Sequence, residues 1–373
     1  MQVQSVEDRI TTFLDRKFRY SKSHATRQTY RLALNKFGEF LRTKHNTDLE
    51  ELVNECKIKA LDPISILDEF YAYLTHCKLK TGKIGYSNSS MTTQITVAKE
   101  FLNSQDLHIY NEDLKQKFRL PKKQVVFEEG LTKEILVRLL HNCTPKLQTA
   151  ILICASSGMR LGELVQLKTS DIDFDITPTT IKLRGETTKT RETRFTHISA
   201  EATNALKDYL HKTSGRTEEH IADKYIFLKY EGDTQTVEYD RAVRTARSTF
   251  VEALELTIKK VPDLCVKNEN GRNRIHFHAL RAWFKTQVTN AHQSDFAEAL
   301  MGHKSLKLVY YRQNPKDRQK IYLEVEPALT ISDFTKVEAT IEDLKAELVS
   351  VKIELEKQRQ RIEIAEKYER KTE

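Results

Sequence analysis

The segment SSGMRLGEL places one arginine, Arg160, where it could bind a phosphate group. The apolar residues before it predict a buried helix, and a second helix is predicted to open at Arg160. In such a turn a guanidinium lies beside free backbone N–H groups, donates two hydrogen bonds and stays charged at any working pH. Glu163 follows at a spacing that lets its carboxylate hold the guanidinium. A plain surface ion pair between Arg160 and Glu163 is the alternative interpretation.

The segment HFHALRAWF supplies a second arginine together with an imidazole. His278 and Arg281 are three residues apart, so on a helix both side chains point to one side. An arginine beside a histidine combines a permanent positive charge with a group that can move a proton near neutral pH. His276 is the alternative imidazole, although we expect it to face away from Arg281.

The segment MGHKSLKLVYYRQ adds a further histidine and two adjacent tyrosines. His303 follows a glycine, and Tyr310 and Tyr311 come soon afterwards. At this point two interpretations are open, because the tyrosines either pack together in a core or include a nucleophilic phenol.

The spacing of the apolar residues predicts a mainly α-helical protein with a small β-sheet or hairpin. Up to residue 120 the pattern is helical, and Tyr30, Leu34, Phe37 and Leu41 illustrate it by falling on one helix face. Residues 1–120 are therefore predicted to form a helical domain.

The middle of the chain has a different pattern. Proline, lysine and glycine residues between positions 121 and 130 indicate a linker. Residues 131–331 mix helices with short strands, and the stretch TTIKLRGETTKTRETRFTHIS alternates around a polar turn as a β-hairpin does. The stretch LQTAILICASS is too apolar for a surface helix, and we expect it to be buried.

A heptad repeat occupies the C-terminal part of the sequence. Apolar residues recur there at alternating steps of four and three, which is typical of a coiled-coil seam. The positions are Val337, Ile341, Leu344, Leu348, Val351 and Leu355. Residues 335–371 are therefore predicted to form a coiled-coil helix, which either associates with a second copy or folds back on its own domain.

Composition and charge narrow the class of protein. Of the 373 residues, 39% are hydrophobic and 31% are charged, as in ordinary soluble globular proteins. No apolar run is long enough to span a membrane, and the N-terminus MQVQSVEDRITTF lacks the features of a signal peptide. Five cysteines without a CxxC pair suit a reducing compartment, so we expect a cytoplasmic protein. The net charge of +8 favours a polyanionic partner.

The motifs occur in an order known from one protein family. SSGMRLGEL, HALR, LMGHKS and YYR follow one another as in the tyrosine recombinase (phage integrase) family, which the chain resembles over residues 131–329. The later stretch YLEVEPALTI looks closer to archaeal members. More loosely, the N-terminal helices resemble the core-DNA-binding domain of the family. The resemblance therefore implies a SAM-like DNA-binding domain at 1–120 and a mixed α/β catalytic domain at 131–331.

The resemblance also implies an activity, namely site-specific recombination or integration of DNA without a metal or other cofactor. In this family a tyrosine attacks a DNA phosphate, forms a 3′-phosphotyrosyl link and frees a 5′-hydroxyl, which later attacks in return. By resemblance, Arg160 and Arg281 bind the non-bridging phosphate oxygens. His278 accepts the phenolic proton, and His303 donates a further hydrogen bond to the phosphate.

The family takes the general acid for the leaving 5′-oxygen from a lysine in a β-hairpin. Lys189 lies in a TKT turn of the predicted hairpin and resembles that lysine. Lys182, on the preceding strand, is the rival.

The nucleophile is assigned less directly, because the family commonly places its tyrosine one residue later than Tyr311. Tyr311 needs only this one-residue deletion, and Arg312 follows it directly, so Tyr311 is the predicted nucleophile. Tyr310 is the alternative, since it forms a Y-x-R pattern that other members show.

The implied partner is double-stranded DNA, bound by a homo-oligomer that is a dimer or a tetramer. The stretch RKFRYSKSHATRQTYR interleaves basic and aromatic residues and is the best candidate for a DNA-binding patch.

Two other functions stay open. One is a type IB topoisomerase with similar residues, and the other is a catalytically silent DNA-binding protein on the same fold. The terminal heptads argue against the first, and the presence of all the expected side chains argues against the second.

Overall fold

The structure is a computed structural model that describes residues 5–79, 82–117, 128–214, 224–268, 271–303, 314–332, 348 and 350–359. The chain divides into two compact units, Met1–Val126 and Phe127–Glu373. Within the described residues, no helix combines the length and apolar character needed to cross a membrane.

The described part of the first unit is helical. Its helices are α1 (Val6–Ser21), α2 (His24–His45), α3 (Leu49–Lys57), α4 (Pro63–His76), α5 (Asn88–Asn103) and α6 (Asn111–Lys117). Polar side chains fix where the first five begin, because each accepts a hydrogen bond from a backbone N–H of the first turn. These N-cap residues are Ser5, Ser23, Asp48, Asp62 and Ser87.

Aromatic side chains dominate the core of the first unit. Phe37 lies 4.9 Å from Phe70 between ring centroids, and Phe13 meets Phe101 edge to face at 5.6 Å. The apolar face predicted for α2 is the buried one: Leu34 is 1% exposed and Phe37 is fully buried. The helical pattern predicted for this region is therefore confirmed.

The second unit combines helices with a small sheet. Its helices are α7 (Lys133–His141), α8 (Pro145–Ser157), α9 (Leu161–Leu164), α10 (Ala200–Ser214), α11 (Val237–Lys260), α12 (Phe277–Asn290), α13 (Ser294–Met301) and α14 (Pro315–Leu329). Its strands are β1 (Ile172–Asp173), β2 (Thr180–Leu183) and β3 (Arg194–His197). Short 3₁₀ helices lie at Thr169–Asp171, Gly185–Thr187 and Pro262–Leu264. The predicted mainly helical fold with a small sheet is thus observed.

The sheet is antiparallel in the order β1-β2-β3. Lys182 pairs with Phe195, and Leu183 pairs with Arg194. Because successive side chains of a strand point to opposite faces, Leu183 and Arg194 share the buried face, whereas Lys182 and Phe195 share the exposed one. This alternation separates side chains that are neighbours in sequence.

Helix α8 is the centre of the second unit. It is buried from Thr149 to Ser157 without interruption, as expected from its apolar sequence, and it packs against α10 and α12. The C-terminal end of α8 therefore lies inside the unit, close to α12, and not in solvent.

Two predicted segments, the linker and the coiled-coil helix, lie mainly outside the described residues. Within the predicted linker 121–130, the structure describes residues 128–130. Within the predicted coiled-coil helix 335–371, residues 350–359 are helical and carry exposed Val351 and Leu355. The domain limits and the coiled coil therefore stay predictions.

Candidate active site

The site begins at the sharp turn between α8 and α9. Gly158 ends α8 in a left-handed conformation, with φ at +64°, and donates its N–H to the Cys154 carbonyl oxygen at 3.0 Å. A Cβ at this position would also collide with the ring of Phe284 on α12. Glycine is therefore needed here twice, for its conformation and for the close approach of α12.

Arg160 emerges from this turn as the N-cap residue of α9, which is a single turn long. Its Nη1 donates to Glu163 Oε1 at 3.0 Å, as the spacing predicted. Its backbone N–H donates to Glu163 Oε2 at 2.8 Å. Among the backbone N–H groups expected to be free at this helix start, that of Arg160 is therefore occupied by Glu163. The side chain of Arg160 stays 30% exposed and can reach a ligand.

A second arginine, Arg194 on β3, holds the same carboxylate. Its Nη1 and Nη2 donate to the two oxygens of Glu163 at 3.1 and 2.6 Å, and its Nε donates to the Leu300 carbonyl oxygen at 3.0 Å. Burial alone would raise the pKa of the Glu163 carboxyl, but Arg194 and Arg160 hold that pKa below its usual value. Sequence reasoning missed Arg194. Its position in phase with buried Thr196 on β3 is the signal that points to it.

Arg281 is held from three directions. Its side chain is 2% exposed, and its Nη1 donates to the Gly158 carbonyl oxygen. Its Nη2 donates to the Met301 carbonyl oxygen at 2.8 Å and lies 3.0 Å from His303 Nε2. Burial and the nearby charge of Arg160 lower the pKa of Arg281 to about 10, so the guanidinium remains charged at neutral pH.

His303 follows the end of α13. Gly302 adopts a left-handed conformation, with φ at +68°, and the His303 N–H donates to the Glu298 carbonyl oxygen at 3.1 Å. The Nδ1 atom of the ring bonds to Glu298 Oε2, and Lys285 on α12 bonds to the other oxygen of that carboxylate. Glu298 and Lys285 are further residues that sequence reasoning did not identify.

The structure thus brings three predicted residues to one place. Arg281 bonds to the backbone next to Arg160 and directly to His303, although the three belong to segments far apart in sequence. The carbonyl oxygens at the end of α13, which lack partners within a helix, are satisfied by the side chains of Arg281 and Arg194.

His278 lies in the first turn of α12 and is exposed. The hydrogen bonds of Arg281 among the described residues go elsewhere, so the structure does not join these two side chains. His276 is the N-cap of α12, in extended backbone conformation, and its Nδ1 accepts the N–H of Ala279 at 2.9 Å. His276 therefore has a structural task. Together with Lys267 and Arg272, the two histidines line an open groove.

Lys189 lies in the connection between β2 and β3 and is exposed. Thr188, which is buried, organises this turn: its hydroxyl lies 3.0 Å from the Glu192 carbonyl oxygen and 3.1 Å from that of Gly185. Lys182 is on the sheet face opposite to Arg194, in a cleft that also contains Phe195. Both lysines are exposed, and the choice of Lys189 over Lys182 stays a prediction.

Tyr310 and Tyr311 lie outside the described residues, in the gap between His303 and Asn314. The assignment of the nucleophile therefore stays a prediction.

Comparison with known proteins places these motifs in a family. Residues 129–318, just over half of the chain, match the model of the phage integrase family. The tyrosine recombinase XerC of Bacillus pumilus is 28% identical over 224 residues, which are 59% of this chain and 61% of that protein. XerC of Staphylococcus epidermidis is 24% identical over 306 residues, or 78% of this chain and 92% of that protein. The chain thus spans about three fifths of the length of the Bacillus relative.

Two solved structures share the fold. A lambda integrase (75–356) dimer bound to a COC′ core site has a TM-score of 0.53 at 14% identity, covering 83% of this chain and 98% of that one. A lambda integrase tetramer bound to a Holliday junction has a TM-score of 0.52 at 16% identity, covering 81% and 78%. At these identities the likeness speaks for the fold alone. Together with the family match over the segment that contains Arg160, Arg281 and His303, it leads to one conclusion: this chain belongs to the phage integrase family of tyrosine recombinases.

Proposed function

We propose that this protein is a site-specific DNA recombinase or integrase that cleaves and rejoins strands through a 3′-phosphotyrosine intermediate. The observation that carries the proposal is the direct contact of Arg281 with both the Arg160 turn and His303. Three cationic or protonatable side chains from distant segments would not be expected to converge in a merely structural cluster.

The electrostatics of this cluster favour an anion. Burial lowers the pKa of Arg281, and the charge of nearby Arg160 lowers it further, so the two guanidinium groups are close enough to repel each other. Glu163 offsets part of this repulsion, but its carboxylate is also shared with Arg194. A phosphate beside the two guanidinium groups would relieve the remaining repulsion, and its affinity would increase as negative charge develops in the transition state.

In the proposed cleavage step, the hydroxyl oxygen of Tyr311 attacks the scissile phosphorus. The phosphorus–O5′ bond breaks, and the DNA 3′-phosphate becomes esterified to the tyrosine. A phenol with a pKa of about 10 is a weak nucleophile at neutral pH, so it needs a base and nearby positive charge.

Two exposed side chains would move the protons. His278 accepts the proton of the phenol, and Lys189 donates a proton to the departing 5′-oxygen, which leaves as a hydroxyl. Rejoining reverses both transfers when a 5′-hydroxyl attacks the phosphotyrosine. One phosphodiester replaces another, so the cycle needs no ATP.

The proposed partner is duplex DNA, bound by a dimer or a tetramer of this chain. The related lambda integrase structures hold DNA as dimers and tetramers, which supports the proposal by analogy. The basic stretch from Arg16 to Arg31 is the proposed additional contact in the first unit. Because phosphate contacts dominate such binding, we expect affinity to fall steeply with salt.

The test is covalent capture. The full chain is incubated with a random-sequence duplex library carrying single nicks, which let the freed 5′ end diffuse away, and protein–DNA adducts are isolated after denaturation. We expect an adduct whose DNA maps to one preferred sequence. Adduct-free DNA binding would instead support the silent DNA-binding protein. Sequence-independent relaxation of supercoiled plasmid by a monomer would support the topoisomerase.

The same assay identifies the nucleophile. Trypsin cuts after Lys307 and Arg312, so Tyr310 and Tyr311 fall in one short peptide. Matched Tyr310→Phe and Tyr311→Phe variants are therefore needed to separate them. We expect Tyr311→Phe to abolish the adduct and Tyr310→Phe to retain it. The opposite result would reverse the assignment.

A further inference from the structure

We propose that Glu298 is a positioning residue for His303, whose imidazole it holds so that Nε2 is the nitrogen presented to the DNA phosphate. The inference rests on the proposed function, because it takes His303 to contact the phosphate of that reaction.

The end of α13 creates the pairing. Glu298 and His303 are five residues apart, a spacing that does not bring side chains together on a continuous helix. Gly302 interrupts the helix in left-handed conformation, so the chain turns back and the His303 N–H reaches the Glu298 carbonyl oxygen at 3.1 Å. The same reversal brings the ring to the Glu298 carboxylate. Arg194, whose Nε donates to the Leu300 carbonyl oxygen, packs against this turn so closely that a Cβ at position 302 would collide with it.

The partners of the ring determine where its proton lies. Arg281 Nη2 is 3.0 Å from Nε2, and a guanidinium can only donate, so Nε2 accepts. The proton of a neutral ring is then on Nδ1, where it is donated to Glu298.

Phosphate binding requires a rearrangement of these bonds. A phosphate oxygen can only accept, so Nε2 needs a proton of its own to bond to it, and Arg281 must turn its N–H toward the phosphate instead. The ring then takes one proton from solvent and carries a positive charge. Glu298 keeps its bond to Nδ1 in both states and balances this charge, so the ring does not have to rotate.

Lys285 holds the other side of the carboxylate. It bonds to Glu298 Oε1 and lies one turn from Arg281 on α12. Helix α12 therefore supplies a partner to each member of the pair: Lys285 contacts Glu298, and Arg281 contacts His303. Burial would raise the pKa of Glu298, but its bonds to Lys285 and His303 hold the pKa below its usual value. Glu298 is therefore ionised at neutral pH.

A purely structural alternative exists, in which Glu298 merely ties α12 to α13 through Lys285. A double-mutant cycle separates the two roles, because a residue that acts through His303 has nothing left to position once His303 is removed. The variants are Glu298→Ala, Glu298→Gln, His303→Ala and Glu298→Ala with His303→Ala. Lys285→Ala is the matched control, since it breaks the ion pair but leaves the bond to Nδ1.

The main measurement is the rate of covalent capture on a nicked duplex that carries the sequence mapped with the wild-type protein. We expect Glu298→Ala to slow capture about tenfold to a hundredfold, as loss of an outer partner of a functional histidine usually does. Glu298→Gln should recover part of the rate, because its amide oxygen still accepts from Nδ1 but its neutral side chain cannot balance the charge of the protonated ring. Lys285→Ala should change the rate less than Glu298→Ala does. In the His303→Ala background, Glu298→Ala should change it by less than about twofold.

A second measurement needs no DNA. In protein with ¹⁵N-labelled histidine, the His303 resonances, assigned with His303→Ala, should show the proton on Nδ1 in the wild type. In Glu298→Ala the Nδ1 proton loses its acceptor and should exchange faster with solvent, although the N–H of Arg281 still keeps it on Nδ1. Thermal unfolding of each variant shows whether it is folded, and Glu298→Gln gives the answer if Glu298→Ala does not fold.

The outcomes are distinguishable. If Glu298→Ala captures DNA at the wild-type rate, or if its effect is fully additive with that of His303→Ala, the inference is wrong and the proposed function stands. A proton on Nε2 in the wild type, or a Glu298→Gln variant as slow as Glu298→Ala, also overturns the inference. If the wild type never forms an adduct, the proposed function itself fails, whatever the resonances show.

Discussion

The candidate site has a buried side and an exposed side, and they are built differently. On the buried side, Arg281 and Glu163 are each 2% exposed, and both take part in networks of hydrogen bonds that run to the backbone or to Arg194. On the exposed side, His278 and Lys189 face solvent. Arg281, proposed to stabilise charge, is thus held in advance by its bonds to Gly158 and Met301 and has only its bond to His303 to exchange for the phosphate, whereas the groups proposed to move protons are not held in this way.

The difference follows from the physics of the two tasks. Stabilising a developing charge is most effective when the donors are already oriented, so that no reorganisation accompanies the reaction. Proton transfer needs contact with a substrate atom, and a side chain that waits for that contact does not need buried partners. Changes on the buried side should therefore affect both stability and cleavage, and changes on the exposed side should affect cleavage alone.

The largest effect is expected for Arg281→Ala. The change removes a charge from the site and leaves the carbonyl oxygens of Gly158 and Met301 without their donor. We expect single-turnover cleavage to slow by about a thousandfold or more, and the free energy of unfolding in urea to fall by about 2–4 kcal/mol. Arg281→Lys keeps the charge but not the fork, so it should restore little activity. Cleavage within about tenfold of wild type would contradict the assignment.

A loss of stability that depends on pH is expected for Glu163→Gln. At neutral pH the amide cannot balance buried Arg194, and we expect the free energy of unfolding to fall by about 3 kcal/mol. The pKa of Glu163 is lowered in the folded state, so its contribution is complete above about pH 5 and is lost as the pH falls through the lowered value. Urea unfolding from pH 7 to pH 3 should therefore show the gap between variant and wild type closing on the acid side. A gap that is constant with pH would argue against this role.

Lys189→Ala is expected to affect the stability of the fold least and to slow the cleavage step. Its side chain is exposed, so the melting temperature should not move, whereas cleavage should slow about a hundredfold. Lys182→Ala is the matched control, because it removes the same charge from the exposed face of the sheet, opposite to Arg194. This variant should cleave DNA at the wild-type rate. A DNA substrate with sulfur in place of the bridging 5′-oxygen tests the role directly, because a thiolate leaves without a proton. Lys189→Ala should cleave that substrate at the wild-type rate, and a persistent defect would exclude Lys189 as the acid.

Sequence reasoning succeeded where a contact depends on neighbours along one helix or turn. The i, i+3 spacing predicted the ion pair between Arg160 and Glu163. Sequence reasoning was less successful at the start of α12, where it did not identify the N-cap residue. His276 lies in the histidine-rich stretch ahead of Arg281, and the structure shows that it caps α12 in extended conformation. Capping depends on backbone geometry that helical spacing does not describe.

By itself the sequence determined the residue types, their order and the helical periodicity, because these are local properties that repeat every few residues. The tertiary structure alone decided that Arg194 shares Glu163 across 31 residues and that Arg281 reaches Gly158 across 123. Such contacts depend on how α8, α12 and α13 pack, and packing is set by many side chains together. The pairing of Glu298 with His303 likewise required the left-handed turn at Gly302, whose direction is fixed only by the folded chain around it.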